Sequence, residues 1–220
     1  MPDTRLTWFN IKEHFRKYIW VYVVVIVAAL VTGDLLWTTT TPQLPEEQRV
    51  LIYLANPWSS VDPLAPIAED ALNAVKQVDD TLEEVSFETL MFSEQDYTGT
   101  MLLMTRLAAG EGDAFFAGQE AMNALATSGA CLPLDEYYEK GWLADSGLEP
   151  YYATVTDEET GESATHLAGF RLDSLTALAD LEAFDNQGAY LVVMSNSTNL
   201  DTTMKVLETI VDDLKEASAK

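Results

Sequence analysis

The most prominent hydrophobic pattern along the chain is an uncharged apolar stretch near its start. No charged residue occurs from Tyr18 to Gly33, and three of the next four residues are apolar. As a helix, residues 18–37 would reach about 30 Å, the thickness of the hydrocarbon core of a bilayer. Trp20 and Trp37 lie near its two ends, as is typical of aromatic residues at membrane interfaces. The pattern therefore predicts a transmembrane helix over residues 18–37.

Basic residues flank only one end of this stretch. Arg16 and Lys17 precede it, and no Lys or Arg follows it until Arg49. The positive-inside rule then places residues 1–17 in the cytoplasm, as an amphipathic tail, and the C-terminal domain on the extracytoplasmic side of the cell membrane. A signal peptide cleaved after Gly33 is the alternative, but the length and aromatic content of the stretch favour an uncleaved anchor.

Beyond the anchor, short apolar runs alternate with segments of helical period. A linker over 38–48 contains two prolines, which are unfavourable inside a helix. The patterns predict strands at 50–54, 84–92, 114–117 and 190–194, a hairpin at 153–171, and helices at 63–78, 97–109, 119–127, 134–140, 174–182 and 202–214. Because the first half follows a β-α-β-α-β order, the prediction for 49–220 is an α/β domain: a single three-layer lobe with a mostly parallel sheet and helices on both faces.

Charge is distributed unevenly between the two ends of the chain. The formal net charge is -24, and residues 38–220 hold 8 basic and 33 acidic side chains. Nucleic-acid phosphates require Lys and Arg, so this composition argues against a nucleic-acid partner. It equally argues against a domain that lies flat on an anionic membrane. A solubilising surface is the simplest interpretation, and a cationic partner is an alternative that no patterned charge cluster singles out.

Residues that could perform catalysis or bind a metal are few. The chain has one cysteine, Cys131, and two histidines, His14 and His166, which the predicted anchor separates. The acidic hairpin tip at 157–162 lacks the spacing of a calcium-binding EF-hand loop. There is no Gly-x-Ser-x-Gly motif, and the Gly-Glu-Gly at 110–112 lacks the third glycine of a dinucleotide fingerprint. The sequence therefore predicts a protein that is not an enzyme, with no metal and no cofactor.

The loops that follow the predicted strands offer a candidate binding site. In open parallel sheets, ligands meet the loops at the carboxyl ends of the strands. Aromatic, hydroxyl, amide and carboxylate groups in these loops suit a small polar solute such as a sugar. The candidate ligand-binding residues are Trp58, Ser59, Ser93, Asp96, Tyr97, Gln119, Glu120, Ser195 and Asn196. The same residue types also suit ordinary helix caps and turns.

Two segments of the domain resemble a known family. In residues 102–143, Asp113, Phe115 and Phe116 form an Asp-x-Phe-Phe strand between two helices, and Leu-Pro-Leu-Asp and Gly-Trp-Leu motifs follow it. Residues 190–214 add a late strand, a Ser/Asn turn and a closing helix. These features are similar to extracellular solute-binding proteins of bacterial ABC importers, with a type II periplasmic-binding-protein-like fold, and the resemblance covers most of residues 49–215.

The resemblance implies one lobe of a protein that usually has two. The hairpin near 151–172 stands where the chain would lead into the second lobe, so the opposite wall of a closing cleft is missing. The resemblance therefore implies a membrane-anchored, non-enzymatic, solute-binding-like domain that acts as an accessory or scaffold component beside an ABC sugar importer. Its expected partners are the lipid bilayer and the ABC transporter permease subunits. The alternative is a low-affinity extracellular sugar receptor or sensor that uses the strand-end loops.

Overall fold

The computed structural model describes residues 8–40, 44–93, 95–156 and 163–219. The chain forms two compact units, Met1–Gln43 and Leu44–Lys220. Helix α1, Trp8–Thr40, belongs to the first unit, and its side chains are described at 14, 16 and 18–33. The predicted hairpin tip at 157–162, the side chain of Trp37 and residues 41–43 of the predicted linker lie outside the described residues.

The first unit is dominated by the exposed apolar surface of α1. Side chains from Tyr18 to Gly33 are exposed, except that of Tyr22, which is partly exposed. Within the described part of the chain, no helix has both the length and the apolar character needed to cross a membrane. The predicted anchor at 18–37 includes residues whose side chains are not described, and it stays a prediction.

The second unit is built on one sheet of six strands. The strands are β1 (Arg49–Asn56), β2 (Glu84–Met91), β3 (Ala114–Gly118), β4 (Pro150–Thr156), β5 (Ser163–Arg171) and β6 (Ala189–Val193). Their order across the sheet is β2-β1-β3-β6-β5-β4, so β2 and β4 are the two edges.

Helices cover both faces of this sheet. They are α2 (Ala65–Lys76), α3 (Tyr97–Ala109), α4 (Gln119–Thr127), α5 (Asp135–Glu139), α6 (Ala177–Asp180) and α7 (Leu200–Ser218). Side chains of α2 and α7 pack with Ile52 and Phe116 on one face, and side chains of α3 and α4 pack with Tyr53 and Phe115 on the other. Because central strands are covered on both sides, they are apolar at successive positions rather than at alternate ones. The predicted three-layer α/β lobe is confirmed.

The sheet is mixed, and the prediction of a mostly parallel sheet holds only for its first half. Strand β1 runs parallel to β2 and to β3, whereas β6 runs antiparallel to β3 and to β5, and β5 antiparallel to β4. The physical reason lies in the connection from β5 to β6. A parallel crossover usually contains a helix that spans the sheet, whereas the helix in this connection, α6, is a single short turn. The chain therefore turns back, and β6 enters the sheet in the opposite direction.

Candidate functional site

Seven of the nine predicted ligand-binding residues lie along the side of the sheet that is formed by the carboxyl ends of the parallel strands β1, β2 and β3. This surface, which we call the carboxyl edge, contains the residues that follow the three strands. They are Trp58 and Ser59 after β1, Ser93, Asp96 and Tyr97 after β2, and Gln119 and Glu120 after β3. The principle that strand-end loops gather at one edge therefore holds for the parallel half of the sheet.

Ser195 and Asn196 lie on the opposite side of the sheet, at the amino ends of the parallel strands. In the antiparallel register Val193 pairs with Ala114, the first residue of β3, so the residues after Val193 continue beyond the amino end of that strand. A Cβ atom on Gly110 would lie 3.1 Å from the side-chain nitrogen of Asn196, which places the asparagine beside the turn that precedes β3. The nine predicted residues therefore cannot form one site, and the direction of β6 is the reason.

Several polar side chains at the carboxyl edge are engaged within the domain. Ser59 is buried, and its hydroxyl donates to the carbonyl of Leu54 over 3.4 Å. Asp96 caps α3, because its carboxylate accepts the N–H of Thr98 at 2.9 Å. Ser93 Oγ accepts the N–H of Gln95 at 3.4 Å, as in a turn. These bonds correspond to caps and turns, which leaves fewer polar groups available to a solute.

A loop over residues 182–188 covers the end of β1. The N–H of Ser60 donates to the carbonyl of Ala183 over 2.7 Å, and the buried amide of Asn56 donates to the carbonyl of Asp185 over 3.3 Å. A Cβ atom on Gly118 would lie only 2.7 Å from the side-chain oxygen of Asn56, so a larger residue could not replace this glycine without movement. The centre of the carboxyl edge is thus closed by the protein itself.

Two aromatic side chains remain exposed at this edge. Trp58 is 55% exposed and Tyr97 is 77% exposed. Helix α3 continues the exposed apolar surface with Met101, Leu102 and Met104. Flat aromatic surfaces of this kind can stack on a sugar ring. Because the centre of the carboxyl edge is closed, a solute there would have to bind on the surface rather than in a cavity.

Four cavities formed by the described residues lie elsewhere. The largest of these four, about 460 Å³, runs between α4 and β4. A cleft of about 290 Å³ lies beside α7, and one of about 230 Å³ lies between α2 and β2. The fourth, about 20 Å³, includes Asn196 and Asp113 at the amino end of β3. Of the nine predicted residues, Asn196 alone lines one of these four cavities, and the pattern of strand-end loops did not indicate the α4–β4 cleft.

Asp113, in the segment that carries the family resemblance, is a structural residue in this fold. Its carboxylate accepts the N–H of Leu51 at 2.9 Å and the hydroxyl of Ser197 at 2.7 Å. Burial raises the pKa of Asp113, and the hydrogen bonds from Leu51 and Ser197 lower it, with burial the larger effect. The side chain joins β1, β3 and the turn after β6, so its contacts account for the motif without a ligand.

The cysteine and the domain histidine also lie within the fold. Cys131 is buried, and burial raises the pKa of its thiol to about 12. Such a thiol carries almost no thiolate at neutral pH, which suits packing rather than nucleophilic chemistry. His166 lies on β5 opposite Ala153. Among the described residues, no group of three or more His, Cys, Asp or Glu is placed to hold a metal ion.

Comparisons with known proteins find little that is similar. No protein-family model matches the chain, and no curated protein matches its sequence. Among solved structures, the chain is similar to the N-glycan transport solute-binding protein NgtS from Streptococcus pneumoniae, with 20% sequence identity and a TM-score of 0.27. The match covers 42% of this chain and 18% of that chain. A structural match of this extent assigns no family to the chain. The resemblance to type II solute-binding proteins therefore stays a prediction.

Proposed function

We propose that this chain is a membrane-anchored, non-enzymatic, solute-binding-like domain that acts as an accessory or scaffold component of an ABC sugar importer. The observation that supports this proposal is the state of the carboxyl edge. Ser59, Ser93 and Asp96 form hydrogen bonds within the domain. The 182–188 loop bonds to Ser60 and Asn56 at the end of β1. A domain whose carboxyl edge is covered by its own 182–188 loop is better suited to hold a partner protein than to capture a solute.

The exposed surface of α1 supports the anchor in this proposal. Valine, isoleucine and leucine side chains from Ile19 to Val31 are exposed within the chain. Apolar surface costs about 25 cal/mol for each Å² left in water, so a helix of this composition gains from leaving water. A bilayer accepts such a helix because the helical backbone satisfies its own hydrogen bonds.

Membrane attachment is tested by separating membranes from the soluble fraction after carbonate washing. The wild-type chain is expected to stay with the membranes, and Val24→Arg is expected to shift most of it to the soluble fraction because a charge at mid-span is costly. Val78→Arg is the matched control, since Val78 is an exposed valine in the α/β domain. Release of the wild-type chain by carbonate would contradict the anchor, and so would release of both variants alike.

The accessory role is tested by crosslinking in intact cells, followed by purification of the tagged full-length chain. The expected result is recovery of ABC permease subunits with the wild type and their loss with Val24→Arg. Equal recovery of permease subunits from a control membrane protein with the same tag would contradict the importer link.

The exposed Trp58 and Tyr97 favour one second candidate, a low-affinity sugar receptor that uses the carboxyl edge. Calorimetry of the full chain in detergent against a panel of mono- and oligosaccharides tests it. Trp58→Ala should then abolish binding, whereas Tyr152→Ala, which removes a comparably exposed aromatic from β4, should leave it unchanged. Absence of heat at millimolar sugar would eliminate this candidate.

A further inference from the structure

Helix α3 exposes a face that carries no charge. We call this surface the α3 face, and its exposed side chains are those of Tyr97, Met101, Leu102, Met104, Thr105 and Ala108. The opposite side of the helix holds the buried Gly99 and Leu103. The basic residue of the helix, Arg106, pairs with Glu111, and its guanidinium lies 5.8 Å from the centre of the Tyr53 ring. The charge of α3 is therefore spent inside the domain, and its outer side is left apolar.

The two longest helices on the other face of the sheet expose charged side chains. Helix α2 presents Glu69 and Asp70 to solvent, and α7 presents Asp201, Glu208 and Asp212. This is the ordinary arrangement for a surface helix, with an apolar side against the sheet and a charged side outward. An apolar outer side in a strongly acidic domain departs from it. Contiguous exposed apolar surface of this kind marks an interaction site.

The shape of the α3 face suits a second helix. Tyr97, Met101, Met104 and Ala108 recur at helical spacing, so they form one stripe about 16 Å long. Large and small side chains alternate along it, which gives the ridges and grooves through which helices pack. The helix itself is held firmly, because a Cβ atom on Gly99 would lie only 2.7 Å from a backbone oxygen at the end of β2. Such a preorganised surface loses little freedom when a partner binds.

Carboxylates border the α3 face. Asp96 is exposed at the start of the helix, and it forms no ion pair with any described residue. Glu88 is exposed on β2, two positions before Leu90, so both side chains are on the side of the sheet that α3 covers. Arg106 does not offset these charges, because Glu111 already neutralises it. The border of the face is therefore negative.

This combination selects the kind of partner. Protein interfaces have a centre that is depleted in charge and rich in aromatic and methionine side chains, with a polar rim. A second copy of this chain would bring its own net charge of -24 to the contact, so like charges oppose pairing between copies. A helix with an apolar side and basic residues along its borders complements both the centre and the rim.

From these observations we propose that the α3 face binds an amphipathic helix of a partner protein, apolar along one side and bordered there by lysine or arginine. The proposal goes beyond the accessory role. It depends neither on the membrane anchor nor on an importer, since it rests only on contacts within residues 44–220, and its tests are independent of theirs.

The experiment uses the full-length chain in neutral detergent micelles. The probe is a fluorescent synthetic helix of about 18 residues, with leucine along one side and lysine along both borders of that side. Empty micelles are measured alongside, so that binding of the peptide to detergent is subtracted. Fluorescence anisotropy is expected to show binding that weakens at least tenfold when glutamate replaces the lysines at low salt. Shuffling the same residues, so that leucine no longer forms one side, should also weaken binding at least tenfold.

A matched pair of variants locates the binding surface. Ala108→Arg places a cation on the α3 face and should weaken the lysine-bordered peptide at least tenfold. Ala74→Arg is the control, because Ala74 is likewise an exposed alanine in the last turn of a helix, α2, and the variant adds the same charge to the chain. Its binding should change less than twofold. Circular dichroism checks that both variants are folded.

A neutral variant separates apolar contact from charge. Met101→Gln keeps the length of the side chain and the charge of the protein, and it should weaken the peptide about fivefold because apolar surface is lost from the centre of the contact. A peptide carrying a photoreactive leucine should crosslink to residues 97–109, as read by mass spectrometry.

Several outcomes would overturn the proposal. No binding at millimolar peptide would do so, and so would equal binding of the shuffled peptide. Equal weakening by Ala108→Arg and Ala74→Arg would show only a general attraction between a cationic peptide and an acidic chain. Dimerisation of the chain that Ala108→Arg abolishes, without peptide binding, would assign the α3 face to a second copy. Crosslinking of α3 to a photoreactive phosphatidylcholine but not to the peptide would assign the face to lipid.

Discussion

The carboxylate of Asp113 accepts the backbone N–H of Leu51 at 2.9 Å, across the junction between β3 and β1. The other carboxylate oxygen accepts the hydroxyl of Ser197 at 2.7 Å, from the turn that follows β6. One buried side chain thus connects three parts of the domain that are distant in sequence. Loss of this acceptor would leave a buried N–H without its partner, and such losses cost about 1–3 kcal/mol.

The first prediction is that Asp113→Ala lowers the free energy of unfolding by about 1–3 kcal/mol, because the N–H of Leu51 loses its acceptor. Urea unfolding followed by circular dichroism measures the change. Asp180→Ala is the control, since Asp180 is an exposed aspartate at the end of α6. An effect of Asp113→Ala no larger than that of the control would show that the contact does not contribute to stability.

The same residue sets an expected pH dependence. The pKa of Asp113 is raised in the folded state by burial, so the folded state binds a proton at a pH where the unfolded state has released it. The contribution of Asp113 to stability therefore increases as pH falls from the raised pKa to the ordinary value, and decreases as pH rises through that window. Unfolding of wild type and Asp113→Asn at several pH values should show the wild type gaining relative to the variant on acidification. A constant difference would contradict the raised pKa.

A second prediction concerns Tyr190, whose hydroxyl donates to the side-chain oxygen of Gln119 over 2.7 Å. Tyr190→Phe should cost about 0.5–1.5 kcal/mol in thermal or urea unfolding, because a partly buried hydrogen bond is lost. Tyr152→Phe, at an exposed tyrosine, should cost almost nothing. Burial also raises the pKa of Tyr190, so its phenol should ionise at higher pH than that of an ordinary tyrosine. Equal costs for the two variants would contradict a stabilising bond to Gln119.

A third prediction is that Asp213→Asn stabilises the domain. One carboxylate oxygen of Asp213 is buried with no hydrogen-bond partner among the described residues. Burial, together with the charges of Asp70, Glu216 and Asp212, raises the pKa of Asp213. Removing this charge should raise the free energy of unfolding by roughly 0.5 kcal/mol at neutral pH, and the gain should disappear as pH falls and the wild-type carboxyl becomes protonated. Destabilisation at neutral pH would indicate a contact that the carboxylate needs.

A fourth prediction concerns Cys131, whose thiol pKa burial raises to about 12. The thiol should resist iodoacetamide at pH 8 in the folded protein and react at an ordinary rate in denaturant, because the thiolate is the reacting species. Ser128→Cys introduces an exposed thiol three residues away and should react at least tenfold faster in the folded state. Mass spectrometry of labelled peptides distinguishes the two sites. Rapid labelling of Cys131 in the folded chain would contradict its burial.

Local sequence signals predict most elements of the domain because the residues that begin and end those elements can be recognised in the sequence. Helix α3 spans 97–109 as predicted, since Asp96 caps its start and Gly110, at a φ of 72°, ends it in a left-handed turn. Strand β3 was recognised from its apolar run, although it extends to Gly118, one residue beyond the prediction. Helix α7 was recognised from its amphipathic period, and it extends to Ser218 rather than to Leu214.

Strand direction and sheet order could not be predicted in the same way. All five residues of β6 are buried, and an apolar run of this kind has no feature that distinguishes a parallel from an antiparallel strand. The strand-end pattern therefore predicts Ser195 and Asn196 at the carboxyl ends of β1 to β3, whereas the antiparallel β6 carries them to the amino end of β3. The positions of β2 and β4 at the two sides of the sheet likewise follow only from the assembled order β2-β1-β3-β6-β5-β4, which no local pattern indicates.

The carboxylates of Glu84 and Glu88 on β2 have a consequence for stoichiometry. Open-ended stacking of sheets into a fibre requires two accepting edges on every molecule, one to receive a strand and one to pass the pairing on. The charged edge at β2 opposes one of these two pairings. Strand pairing between copies of the domain should accordingly not extend into a fibre.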